Sequence, residues 1–278
     1  MDILELFSYG FFRNAFLAAL LMSVTCGIIG TYIVSRRMVF ISGGITHASF
    51  GGVGLGYFLG IPPLAGAAVF AVLAALATEN LTRRKIIRND SVIAIMWSLG
   101  MALGIIFVYL TPGYAPNLMS FLFGSIITVN TSDLWFMFAL ALIVSGFFII
   151  FYRPILYVSF DEQFARTRGI PVMLLNYILI ILVALTIVLS IRIAGIILVL
   201  SILTIPQNIA NLFTNRFSSI MIASVIIGFI GSFMGLVISY YLDIPSGACI
   251  IFTLVILYLA ARVVKVAKFG SRLNTHIE

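Results

Sequence analysis

The chain has 278 residues, of which 62% are hydrophobic and 9% charged, with a formal net charge of +7 and two cysteines. About one quarter of a soluble domain is charged, so the composition excludes an ordinary soluble fold and points to a polytopic membrane protein. The positive charge is no footprint of a nucleic-acid partner, because the basic residues sit in short segments between apolar runs and set orientation in the bilayer.

At about 20 residues per span there is room for about eight or nine helices and no separate soluble domain. Residues 1–278 therefore read as a single transmembrane domain, an all-α helical bundle in the cell's inner membrane. The opening MDILELFSYGFFRNAF lacks the basic start and small-residue cleavage site of a signal peptide, and residues 2–12 read as an interfacial segment. A first span is expected over 14–34. It ends at Arg36-Arg37, which places that end in the cytoplasm and the N-terminus outside.

The next span, about 43–59, lies in the stretch RRMVFISGGITHASFGGVGLGYFLG. Gly44, Ala48, Gly52 and Gly56 recur every four residues, a seam of small residues along which another helix can approach closely. His47 falls beside it in the stripe Gly43, His47, Gly51. An ionisable side chain in a membrane helix is costly, tends to face a bundle interior or water and reads by default as functional; the bland alternative is a neutral histidine hydrogen-bonded between helices.

Helix three, about 64–81, returns to the most basic loop, TRRKIIRND, and helix four, about 91–111, ends outside in TPGYAPN. The segment 118–129 is short for a span and reads as re-entrant or interfacial. Thr131-Ser132-Asp133 is the expected N-cap of helix five, about 134–151. The loop SFDEQFARTRGIP then reads by composition as solvated surface. Two spans follow, about 172–191 and 193–206, divided at Arg192.

Residues 205–217, IPQNIANLFTNRF, combine polar residues with Ile209, Leu212 and Phe213 at helical spacing. They suggest a short amphipathic helix at a cytoplasmic bend, suited to docking on another protein. Pro206 opens it, and Gln207, Asn208, Asn211 and Arg216 offer hydrogen bonds beside the apolar ridge. Helix eight, about 218–241, carries a second close-packing seam at Gly228, Gly231 and Gly235. Helix nine, about 247–261, is followed by Arg262, Lys265, Lys268 and Arg272, which hold the C-terminus inside. Cys26 and Cys249 lie in apolar runs without paired spacing and read as packing residues.

No phosphate loop of the GxxxxGK[ST] type is present, nor HExxH, GxSxG or CxxC. The spans lack the acidic pairs of a proton- or sodium-coupled carrier, so a pump built on this chain draws its energy from a partner.

The blocks RRMVFISGGITHASFGGVGLG, FLFGSIITV, FDEQFARTRGIPV, AGIILVLSILTIPQNIANLFTNRF and YYLDIPSGACI, in this order, resemble the membrane permease subunit of zinc/manganese/iron-type ABC importers. The resemblance spans nearly the whole chain. It implies a homodimer with two cytoplasmic ATP-binding subunits, supplied by an extracytoplasmic metal-binding protein. The cargo is a divalent metal ion, zinc or manganese and in some members iron, and no cofactor is bound permanently. The resemblance also implies that 205–217 is the coupling helix on the ATPase. Many members have an aspartate four residues before the histidine, where this chain has Gly43, and a proline where it has Gly51. His47 with the hydroxyls of Thr46 and Ser49 is then the expected pathway set. The alternatives are a self-contained carrier or channel for another small solute, and a membrane-embedded enzyme, which needs a second catalytic group near His47.

Overall fold

In hydrocarbon a backbone finds no water to bond, so apolar runs separated by short polar turns close their hydrogen bonds within helices. The computed structural model describes residues 6–83, 88–112, 124 and 126–273. Among them there is no strand, and the elements are α1 (Gly10–Ser35), α2 (Val39–Leu59), α3 (Pro63–Arg83), α4 (Asn89–Leu110), a 3-10 turn (Ile126–Thr128), α5 (Thr131–Ile150), α6 (Tyr152–Phe160), α7 (Glu162–Thr167), α8 (Val172–Ile202), α9 (Ile205–Phe213), α10 (Phe217–Leu242) and α11 (Ser246–Leu273).

The turns follow from local chemistry. Helix α2 ends on Gly60, in the left-handed region at φ 68°, and Pro62 and Pro63 then start α3. The N-cap of α5 lies one residue ahead of the expected Thr131. Asn130 accepts the Asp133 N–H at 2.9 Å, and the Asp133 carboxylate accepts the Asn130 N–H, which closes a capping box. Helix α2 lies between α3 and α4, α1 packs against α5 and α10, and α9 is held among α1, α10 and α11.

Seven helical segments among the described residues are long and apolar enough to cross a membrane, against the eight or nine expected. Two features account for the difference. Helix α2 is 21 residues long, but with its glycines, serines, threonine and histidine it is not among the segments apolar enough to be counted. The second is that the spans expected over 172–191 and 193–206 form one continuous apolar segment, Val172–Phe213. Its break is at Gly195 rather than Arg192, with φ 79° and ψ 165°. Only glycine adopts that conformation readily.

Past Gly195 the chain turns back on itself. Ser190 Oγ lies 3.5 Å from Cys26 Sγ, and Gln207 Nε2 donates to the Cys26 carbonyl at 2.9 Å. Residues 190 and 207 are 17 positions apart, about 25 Å along an unbroken helix, so they meet one residue only if the segment reverses.

Most of the expected 118–129 element lies outside the described residues. Of its described part, Gly124 has φ 58° and sits against Ala194 and Gly195, ahead of the 3-10 turn. The segment 159–171 is mostly exposed, as expected, but it is not a plain loop: it contains α7, whose N-cap Asp161 accepts the N–H groups of Gln163 and Phe164.

Candidate functional site

The glycines of α2 serve two faces. A Cβ at Gly52 would land on the carbonyl of Gly66 in α3, and one at Gly56 would lie 2.8 Å from Pro63 Cα. Towards α4, a Cβ at Gly44 would meet Ile93 Cγ2 at 2.9 Å and one at Gly51 would meet the Gly100 carbonyl at 2.9 Å. Gly54 faces Gly104 in the same way. The sequence reading missed the α4 half of this contact, although Gly100-Met-Ala-Leu-Gly104 is itself a small-xxx-small motif. The second seam, in α10, is graded. Gly235 lies against the backbone of Ile250, Gly231 against the side chain of Leu254, and Gly228 only in ordinary contact with Pro206 and Ser23. All of these contacts are made within the chain.

This packing sets the environment of His47. The imidazole stacks on the indole of Trp97 from α4, with ring centroids 3.9 Å apart and planes 11° from parallel. Its Nδ1 is buried without a hydrogen-bond partner. Gly43, one turn earlier, leaves space there, since a Cβ would meet Trp97 Cζ3 at 3.6 Å and Leu200 Cδ2 at 3.8 Å. Thr46 and Ser49, expected beside His47, are buried, and their hydroxyls donate back along α2 to the carbonyls of Ser42 and Thr46, at 2.7 and 2.6 Å. Ser49 lines a different space, a cavity of about 380 Å³ with Tyr57, Asp133 and Arg192 on its wall. Arg192 Nε is 3.4 Å from Asp133 Oδ1. The three expected pathway residues therefore share a helix but do not converge, and the neighbour His47 does have, Trp97, was not foreseen. No group of three or more His, Cys, Asp or Glu side chains converges among the described residues.

The 205–217 segment is helical over Ile205–Phe213 and starts with Pro206 in its first turn, as its sequence suggests. Its faces differ from the expected ridge. Pro206, Gln207, Ile209 and Ala210 are buried in the bundle, where Gln207 also donates to the Ile202 carbonyl at 3.2 Å. Ile209 and Gln207 are therefore not available to a partner. Asn211 and Leu212 are half-buried, while Asn208, Phe213, Asn215 and Arg216 are exposed. The correction has a physical cause. The buried amide of Gln207 pairs with the Cys26 carbonyl from inside, and the nearby small residue Gly30 lets it approach.

Phe217, the last residue of this segment, is the buried first residue of α10 and packs against α6. The Phe217 ring lies 6.3 Å from that of Phe160 and 6.2 Å from that of Tyr152. Three phenylalanines here are exposed: Phe160 at 65%, Phe164 at 39% and Phe213 at 53%. Beneath them is a polar cluster the sequence reading did not find. Arg36, just past the end of α1, donates from Nη1 to the Val158 carbonyl and from Nη2 to Glu162 Oε1, both at 2.7 Å. Asn176, buried near the start of α8, donates to the same Oε1 at 3.0 Å. Partial burial pushes the Glu162 carboxyl up, but the hydrogen bonds from Arg36 and Asn176 and the charges of Arg36 and Arg83 outweigh it and hold the group below its usual range. The runs RRMVF and FDEQFARTRGIPV held both ends of this pair, but over 100 residues of separation carry no register by which to match them.

Comparison with known proteins agrees with this architecture. Residues 8–265 match the model of the ABC 3 transport family. An uncharacterized membrane protein of Synechocystis is 41% identical over 257 residues, covering 92% of each chain. The manganese transport system membrane protein MntC of Halalkalibacterium halodurans is 34% identical, with 89% of this chain and 85% of the relative aligned. Among solved structures, PsaBC from Streptococcus pneumoniae in complex with Fab superposes with a TM-score of 0.84 at 30% identity, over 94% of this chain and 95% of the other. The chain is thus a member of the ABC 3 transport family.

Proposed function

We propose that this chain is the membrane permease subunit of an ATP-driven importer of a divalent transition metal, with manganese as the first candidate cargo. The observation that carries the reading is near full-length sequence similarity to proteins named for manganese transport, alongside the likeness in fold to PsaBC. Two copies form the pathway and each contributes His47, whose neutral imidazole has the lone pair a transition metal takes. The reversal at Gly195 supports nine crossings, with α2 as one and Val172–Phe213 as two, so that the N-terminus lies outside and the basic C-terminal end inside.

ATP is hydrolysed by a separate subunit bound to the cytoplasmic face. The exposed Phe160 at the end of α6, Phe164 in α7 and Phe213 in α9 favour a docking surface formed jointly by the α6–α7 end and by the Leu212–Arg216 end of the 205–217 segment, which Phe217 links to Phe160. An extracytoplasmic metal-binding protein delivers the ion. Zinc and iron are the competing cargoes, since imidazole binds all three ions.

Uptake of radiolabelled manganese, zinc and iron by the reconstituted complex, with and without ATP, tests the reading. ATP-dependent accumulation of manganese ahead of the others is expected. Accumulation that ignores ATP and the partner subunit would mean a self-contained carrier or channel.

A further inference from the structure

We propose that Glu162 is a positioning residue which ties the partner-facing helix α7 to the turn from which the His47 helix starts. The inference rests on the docking surface proposed above. Glu162 is the first residue of α7, but its carboxylate points away from the exposed face and into the bundle, where one oxygen accepts from both Arg36 and Asn176. The Arg36 guanidinium is shared in turn between Glu162 and the Val158 carbonyl of α6. One ion pair thus joins the end of α1, the α6–α7 pair and the start of α8. At 20% and 32% side-chain exposure it is shielded enough to hold a fixed geometry and wet enough to break and re-form.

The position of Arg36 gives the contact its consequence. Arg36 caps α1, Arg37 follows in the left-handed region at φ 57°, and Met38 caps α2. The turn is closed by Arg37 N–H to Val34 O at 3.1 Å and Met38 N–H to Ile33 O at 2.8 Å. A connection this short and this well bonded has no slack, so a displacement of Arg36 moves the base of α2. His47 is nine residues beyond Met38, about 13 Å along the helix axis. Helix α2 is locked to α3 and α4 by backbone-close glycine contacts, which makes it a stiff element. A shift of α7 imposed by a bound ATPase is therefore carried through Glu162 and Arg36 to the helix that bears the pathway histidine.

The test uses the full complex with its ATPase in liposomes. Glu162→Ala, Arg36→Ala and the charge swap Arg36→Glu with Glu162→Arg are compared with wild type for ATPase retention, ATP hydrolysis and manganese uptake. We expect both alanine variants to retain the ATPase and hydrolyse ATP within about twofold of wild type, with uptake per ATP reduced at least tenfold and partly restored by the swap. Unchanged uptake with the ATPase retained would overturn the proposal and leave the docking reading standing. Parallel loss of retention, hydrolysis and uptake, with no recovery in the swap, would also overturn it, because the pair would then merely hold the fold. Should the alanine variants fail to elute as intact dimers, Glu162→Gln keeps the shape and removes the charge, and the same criteria apply to it. If wild type itself neither retains an ATPase nor couples uptake to ATP, it is the functional reading that fails, independently of this pair.

Discussion

Two alanine substitutions on α2 separate the effect of close packing from that of helix propensity. Both Gly43→Ala and Gly52→Ala gain the roughly 0.5–1 kcal/mol that alanine offers over glycine inside a helix. At Gly43 the new methyl meets only Trp97 and Leu200, at 3.6 and 3.8 Å, which is ordinary contact. At Gly52 it lands on the Gly66 carbonyl and 2.6 Å from Phe70 Cβ. Carbon atoms rest about 3.5–4.0 Å apart, so α2 and α3 must part by about 1 Å. Over-packing of that kind costs about 1–3 kcal/mol. The propensity gain is common to both variants and cancels, so the clash alone separates their stabilities. The separation is to be read from thermal unfolding in detergent, followed by loss of the monodisperse peak in size-exclusion chromatography. Gly43→Ala should match or exceed wild type and Gly52→Ala should fall clearly below both. Equal stability of the two variants would refute the claim that backbone contact at Gly52 joins α2 to α3.

Gly195→Ala is expected to cost about 1–3 kcal/mol, because φ 79° with ψ 165° excludes a Cβ, and to show as lowered thermal stability and loss of intact protein. His47→Ala should reduce metal uptake sharply without changing elution of the complex, and acidification should weaken wild-type uptake, since a protonated imidazole has no lone pair; normal uptake in the variant would make His47 a packing residue. Gly43→Asp, for which the Cβ has room, should tighten metal binding in equilibrium assays and slow release. For Glu162 the sign is fixed by its lowered folded pKa: the stabilisation is complete above the unfolded value of about 4.3 and is lost as pH falls through the folded value. Acid unfolding of wild type should therefore have a component in that range that Glu162→Gln lacks.

The sequence by itself determined the class and the register of this protein. Apolar runs of span length fixed an all-helical membrane chain and prolines and glycines fixed most of the turns, because each depends on residues close in sequence; the basic clusters gave the expected orientation in the bilayer. It also singled out α2, since small residues every four positions are legible without knowing what they touch. Partners at long separation were decided only by the tertiary structure. Trp97 in α4 reaches His47 in α2 past an intervening helix in the chain, and Glu162 reaches Arg36 from 126 positions away. The same holds for direction and burial. Periodicity placed Ile209, Leu212 and Phe213 on one apolar ridge of an amphipathic helix, but the reversal at Gly195 and the Gln207 amide seated on the Cys26 carbonyl decided that Ile209 faces the bundle and Phe213 the outside. Helical spacing defines which side chains share a face, whereas what that face meets depends on packing between segments that are distant in the chain.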